Sequence, residues 1–228
     1  MNKLYYLLSA LTFFACFSAT AQQNKSWADF ERYHQQNEGL NTSKMPQAVF
    51  MGNSITDFWY NNDSTFFINH NYLDRGISGQ TTSQMLVRFR RDVIDLHPKV
   101  VIILAGTNDI AQNTGYISLK DILGNLISMA ELAMTHHIKV ILCSLTPAFD
   151  YPWHKGMQPN IKIPKLNAML QAYANKHHIA YIDYFSAMTD GNNGMRTELS
   201  KDGVHPTLAG YKIMEKISSE AILKLAHN

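Results

Sequence analysis

Two hydrophobic rhythms alternate along the chain. Short, unbroken apolar runs cover residues 48–51, 100–105, 140–142 and 179–182, with a weaker run over 72–77. They stop at Gly52, at Gly106, near Pro147 and at Asp183. Apolar runs of this length without polar alternation predict strands buried on both faces, as in a parallel sheet. Between them the period lengthens to that of a helix. Leu119, Ile122, Leu123, Leu126, Ile127, Ala130 and Ala133 share one helical face, as do Leu166, Met169, Leu170 and Tyr173. Ile213, Ile217, Ile222 and Leu225 mark a C-terminal helix, which Pro206 is expected to open. The alternation predicts an α/β fold with a parallel sheet and right-handed crossovers. Such sheets bind ligands at the carboxyl ends of their strands. Chemistry is therefore expected just after Met51, Ile77, Ala105 and Leu142.

The N-terminus departs from this pattern. Residues 1–21 join a basic Lys3, an apolar stretch from Leu4 to Ala19 and an Ala19-Thr20-Ala21 sequence. This is the layout of a secretory signal with cleavage after Ala21. The apolar stretch, about 16 residues, is shorter than the roughly 20 that a spanning helix needs. An exported protein, periplasmic or secreted, is expected, with residues 22–228 as one domain and no stable membrane insertion after cleavage. Ala15-Cys16 offers the alternative of a lipid anchor on Cys16. Cleavage leaves Cys143 as the sole cysteine, which rules out an internal disulfide. Cys143 lies in an apolar run and is expected to be an inert buried thiol.

At 228 residues and 46% hydrophobic, the chain is long enough to bury a core without metals or disulfides. Twenty basic and eighteen acidic residues nearly cancel, so composition speaks against a nucleic-acid binder. His136-His137 and His177-His178 are adjacent pairs whose side chains diverge on a helix, so both are expected at solvent-facing helix ends rather than around a metal.

Four segments at predicted strand ends carry the candidate chemistry. Gly52-Asn53-Ser54 follows the first strand, where Gly52 would permit a sharp turn and Ser54 would be presented at a helix start, as a cap or as a nucleophile. Gly79, in Ser78-Gly79-Gln80, can offer a bare backbone N–H. Asn108, in Gly106-Thr107-Asn108-Asp109, can donate to a developing oxyanion, with Asp109 expected to bind a loop N–H. Asp202 and His205 lie three apart in one turn, close enough for the carboxylate to orient the imidazole.

Together, in this order, these segments resemble the SGNH hydrolases, the GDSL-type lipase and esterase superfamily, over about residues 47–215. Ser54, Gly79, Asn108 and His205 match its four blocks, and Asp202 matches the acid of its D-x-x-H motif. Asn53 stands where the family usually has Asp, which touches local hydrogen bonding and not the triad. The resemblance implies a three-layer flavodoxin-like fold with five parallel strands flanked by helices. It also implies a serine esterase needing no metal or cofactor. Ser54, His205 and Asp202 would form the triad, and Ser54 N–H, Gly79 N–H and Asn108 the oxyanion hole.

Aromatic residues near the strand ends bear on substrate. Trp59 and Tyr60 follow the nucleophile, and Phe149, Tyr151 and Trp153 follow the fourth strand in chain order. Trp59, Tyr151 and Trp153 are the candidate substrate contacts, with aromatic faces suited to sugar rings or acyl chains. With no long apolar lid segment, the sequence points to a short-acyl ester on a carbohydrate. The alternatives are a lysophospholipase or thioesterase acting on longer chains, an acyltransferase, and a non-catalytic glycan-binding module. Arg75, Arg88, Arg90 and Arg91 flank the second block and are expected in structural pairs or on a solvated face rather than on a substrate carboxylate.

Overall fold

The computed structural model describes residues 26–40 and 44–226. The expected signal segment, with Cys16, lies outside the described residues. Five strands form one parallel sheet: β1 (Ala48–Gly52), β2 (Tyr72–Gly76), β3 (Val100–Leu104), β4 (Lys139–Cys143) and β5 (Ala180–Ile182), in spatial order β2-β1-β3-β4-β5. The strand order reverses between β1 and β3, so their carboxyl ends diverge into a crevice.

The helices are α1 (His34–Glu38), α2 (Ser54–Asn62), α3 (Ser64–His70), α4 (Thr82–Asp92), α5 (Thr107–Ile110), α6 (Leu119–Thr135), α7 (Pro159–Lys176), α8 (Tyr184–Met188) and α9 (Leu208–Ala226). They form two layers because side chains alternate along each strand. Val49, Met51, Val101 and Ile103 face one core with residues of α4, α6 and α7. Phe50, Ile102, Leu104 and Ile141 face another with residues of α2, α3, α8 and α9. Every residue of β1 and β3 is buried, which is why these strands read as unbroken apolar runs.

Two expectations about local structure are corrected. Pro206 does not open the last helix. It sits in an isolated bridge with Ser200, and α9 starts at Leu208. Gly52 is required by contact rather than by a special turn. A Cβ there would lie 2.0 Å from Thr56 Oγ1 and 3.0 Å from the Leu104 carbonyl oxygen. Gly76 has the same role, since its Cβ would lie 2.2 Å from the Asp57 nitrogen. These two glycines let the first turn of α2 rest directly on the sheet.

Cys143 is a buried free thiol whose pKa is raised by burial. His136, His137, His177 and His178 all lie exposed at the ends of α6 and α7. Among the described residues, no helix is long and apolar enough to cross a membrane.

Candidate active site

Ser54 is the first residue of α2, so its backbone N–H has no partner within the helix. The preceding Asn53 caps the helix, its Oδ1 accepting the Ile55 N–H at 3.0 Å. An amide oxygen thus does the local work expected of the usual Asp.

Ser54 Oγ lies 3.0 Å from His205 Nε2, although 151 residues separate them. His205 Nδ1 lies 2.6 Å from Asp202 Oδ2. The other carboxylate oxygen accepts the backbone N–H groups of Val204 at 2.9 Å and His205 at 2.8 Å, and the Ser200 hydroxyl at 3.1 Å. Partial burial pushes the Asp202 pKa up, but its hydrogen bonds from the His205 ring and from both backbone N–H groups outweigh this and hold it at about 2. Asp202 therefore stays an acceptor across the neutral range. The turn is fixed at three points: the Ser200–Pro206 bridge, buried Val204, and Gly203 at φ +80°.

The opposite wall comes from β2 and β3. Gly79 has φ +82°, a left-handed conformation that favours glycine, and a Cβ there would meet nothing within 4 Å. The residue is needed for its backbone shape, not for lack of space. Asn108, 3% exposed, donates from Nδ2 to the Gln80 carbonyl at 2.9 Å, which leaves its second amide hydrogen available. Asp109 accepts the Thr82 N–H at 3.0 Å and the Thr82 hydroxyl at 2.5 Å, and so ties the two loops together. Burial raises its pKa despite these bonds.

The arginines are structural. Arg88 is fully buried and donates to the carbonyls of Gly52 at 3.2 Å and Arg75 at 2.9 Å, while pairing with Asp92 at 2.9 Å. It pins the ends of β1 and β2. Arg75 is held by Asn37 Oδ1 at 2.7 and 3.0 Å and lies over the Tyr33 ring. Arg90 and Arg91 lie at the end of α4, towards His136 and His34.

Of the three expected substrate contacts, Trp153 alone lines the site. It is 45% exposed, its ring lies 5.8 Å from His205, and its Nε1 donates to Asn113 at 3.3 Å. Trp59 and Tyr151 are corrected. Trp59 is 1% exposed, stacked between Phe66 and Tyr211 in the core. Tyr151 is wholly buried beneath Trp153, which stacks on it at 5.0 Å. Neither presents a face to a substrate. A second exposed aromatic side chain at the site is Phe58, with its ring 5.2 Å from His205. Helical spacing could have found it. Phe58 is four residues from Ser54 and shares its face, whereas the fifth residue, Trp59, turns inward.

The chain matches the model of the GDSL-like lipase/acylhydrolase family over residues 50–213. It is similar to a candidate acylhydrolase from Bacteroides fragilis NCTC 9343, with 46% identity, TM-score 0.84, and coverage of 88% of this chain and 99% of the other. It is also similar to a GDSL-like lipase from Bacteroides thetaiotaomicron VPI-5482, with 44% identity, TM-score 0.84, and coverage of 87% and 98%. An acetylxylan esterase from Geobacillus stearothermophilus shares the fold at 18% identity and TM-score 0.63, over 77% of this chain and 93% of its own. A Bacillus subtilis (strain 168) relative, the uncharacterized lipoprotein YqeF, is 36% identical over 85 residues. The match covers 36% of this chain and 35% of that relative, about a third of its length. The model match over most of the chain, on a five-stranded parallel sheet, places this protein in the GDSL-like lipase/acylhydrolase family, as an ester hydrolase.

Proposed function

We propose that the protein is an exported serine esterase that removes a short acyl group, such as acetyl, from a carbohydrate. Residues 22–228 are its one catalytic domain. The observation that carries the chemistry is the continuous Ser54–His205–Asp202 chain of 3.0 and 2.6 Å contacts. Ser54 Oγ attacks the ester carbonyl and passes its proton to His205 Nε2. Asp202 holds the ring in the tautomer whose Nε2 is free to accept. The tetrahedral oxyanion accepts hydrogen bonds from the N–H groups of Ser54 and Gly79 and from Asn108 Nδ2. Collapse expels the alcohol, which takes the proton from His205. Water then repeats the sequence and frees the acid.

The short-acyl reading rests on the rim. Exposed Phe58 and Trp153 both lie against the His205 ring, at 5.2 and 5.8 Å. They form an open aromatic mouth suited to stacking a sugar ring. Export rests on the signal-like residues 1–21 and on a relative named as a lipoprotein.

A p-nitrophenyl ester series from acetyl to decanoyl, run with Ser54→Ala alongside, tests both parts. Activity is expected to peak at acetyl and to vanish in the variant. Activity that survives Ser54→Ala would sink the triad, and a peak at long chains would move the substrate to lipids. The mass of the exported protein is expected to place its first residue at Gln22.

A further inference from the structure

We infer that Asp57 is a positioning residue for the oxyanion hole: through Ser78, its carboxylate sets the orientation of the Gly79 N–H. The inference rests on the reading of Gly79 as an oxyanion donor.

Ser78 and Gly79 are both exposed, and nothing packs where a Gly79 Cβ would stand. A glycine in such a loop is free to rotate unless hydrogen bonds hold the flanking peptides. On one side Asn113 Nδ2 donates to the Gly79 carbonyl at 3.2 Å, and Asn108 Nδ2 to the Gln80 carbonyl at 2.9 Å. On the other side the turn is closed by the Gln80 N–H, which donates to the Ile77 carbonyl at 3.2 Å, and its first peptide is held by Asp57. Its Oδ2 accepts the Ser78 N–H at 3.2 Å and the Ser78 hydroxyl at 2.6 Å.

Asp57 is itself fixed. Its backbone N–H donates to the Asn53 carbonyl at 2.9 Å, and it lies in the first turn of α2, directly on Gly76. The nucleophile and the oxyanion loop are thereby referred to the same helical turn. Asp57 lies three positions after Ser54, and one peptide link separates Ser78 from Gly79. The second carboxylate oxygen accepts Arg32 Nη2 at 3.2 Å, which ties in the segment preceding α1. All three partners are donors, so the site demands an acceptor-only side chain. An amide must turn its NH₂ toward either Ser78 or Arg32. The side chain is only 13% exposed, so water replaces the lost bonds poorly.

The test compares Asp57→Asn, Ser78→Ala and Ser54→Ala with the wild type. One readout is kcat and KM on p-nitrophenyl acetate. The second is the Kd for phenylboronic acid, whose tetrahedral adduct with a serine mimics the oxyanion and needs no turnover. The third is the final extent of fluorophosphonate labelling, which counts folded sites. Asp57→Asn is expected to lower kcat about tenfold to a hundredfold, less than outright loss of a donor. KM should stay within about threefold, boronate affinity should weaken in step with kcat, and final labelling should be unchanged. Ser78→Ala keeps the N–H bond and is expected to lose about threefold to tenfold. The double variant should be no worse than Asp57→Asn.

The role of Asp57 is overturned if Asp57→Asn stays within twofold of wild type in kcat and boronate affinity while Ser54→Ala is dead. It is equally overturned if the loss tracks reduced labelling alone. Should Asp57→Asn fail to fold, Ser78→Ala decides by the same measurements. Boronate binding and turnover that persist in Ser54→Ala would instead overturn the underlying reading of the reaction.

Discussion

Asn108 and Asp109, on the proposed oxyanion side, are 3% and 1% exposed, whereas the side chains of His205 and Asp202 are 24% and 40% exposed. The first wall is built across the chain. Thr82, Asp109, Gln80 and Arg88 link segments 27 to 36 residues apart, at the divergence of β1 and β3. The second wall is local, for Asp202, Val204 and His205 bind one another within a single turn, and only Ser54 lies far off in sequence. The difference suits the proposed tasks. An oxyanion donor works by being preorganised, and the buried bonds around Asn108 would keep it still in its proposed role. A general base must exchange protons with water and leaving group, and a turn at the surface permits that.

The largest expected effect breaks the local wall. Asp202→Asn should keep the fold and lower kcat about 10⁴-fold, because the amide favours the wrong histidine tautomer. Steady-state kinetics beside a thermal melt checks this. Next, Trp59→Ala should cost about 3–5 kcal/mol of stability in denaturant unfolding, since a core aromatic leaves a large cavity. Asn108→Ala tests the buried wall and should lower kcat about 10²–10³-fold with a smaller change in KM.

The fourth test uses pH. Asp74 is buried near the end of β2, and burial pushes its pKa up to about 8 against the bond it accepts from the Gly76 N–H. The native state then holds a proton that the unfolded chain releases from about pH 4 upward. The contribution of Asp74 to stability therefore falls as pH rises from about 4 through 8. Asp202 runs the other way. Its folded pKa lies below the unfolded value, so its contribution is present at neutral pH and fades only toward pH 2. Melting temperatures between pH 5 and 9 should decline more steeply in the wild type than in Asp74→Asn. Equal slopes would show that Asp74 does not titrate as its burial demands.

The smallest effect is expected at the rim. Trp153→Ala and Phe58→Ala should raise KM for a sugar ester several-fold and change stability by about 0.5 kcal/mol or less. A large kcat loss from either would mean that the rim also orients His205.

Much of this was legible before any coordinates. β1 and β3 are where the clearest unbroken apolar runs stand, because a strand covered on both faces has no polar positions to reveal, whereas β2 is the weaker run because it buries Asp74 and Arg75. The site motifs are readable because three of them follow strand ends and the fourth, Asp202 to His205, closes on itself within one turn. Trp59 and Tyr151 were misread because an aromatic residue near a strand end has the same letter whether it faces water or core. Asn113 and the segment around Arg32 are not legible because their partners are distant in sequence, whereas Phe58 is legible from its helical spacing to Ser54. Arg32 is 25 residues from Asp57, and Asn113 is 34 from Gly79.

The sequence by itself determined the α/β architecture, the family and the order of the chemical blocks, since periodicity and short motifs are local properties of the chain. Only the tertiary structure decided which aromatic side chains reach the site and why Gly52 and Gly76 must be glycine. It alone joined Ser54 to His205 and Asp57 to Ser78. These are matters of distance between segments, and distance is set by how the helices pack on the sheet.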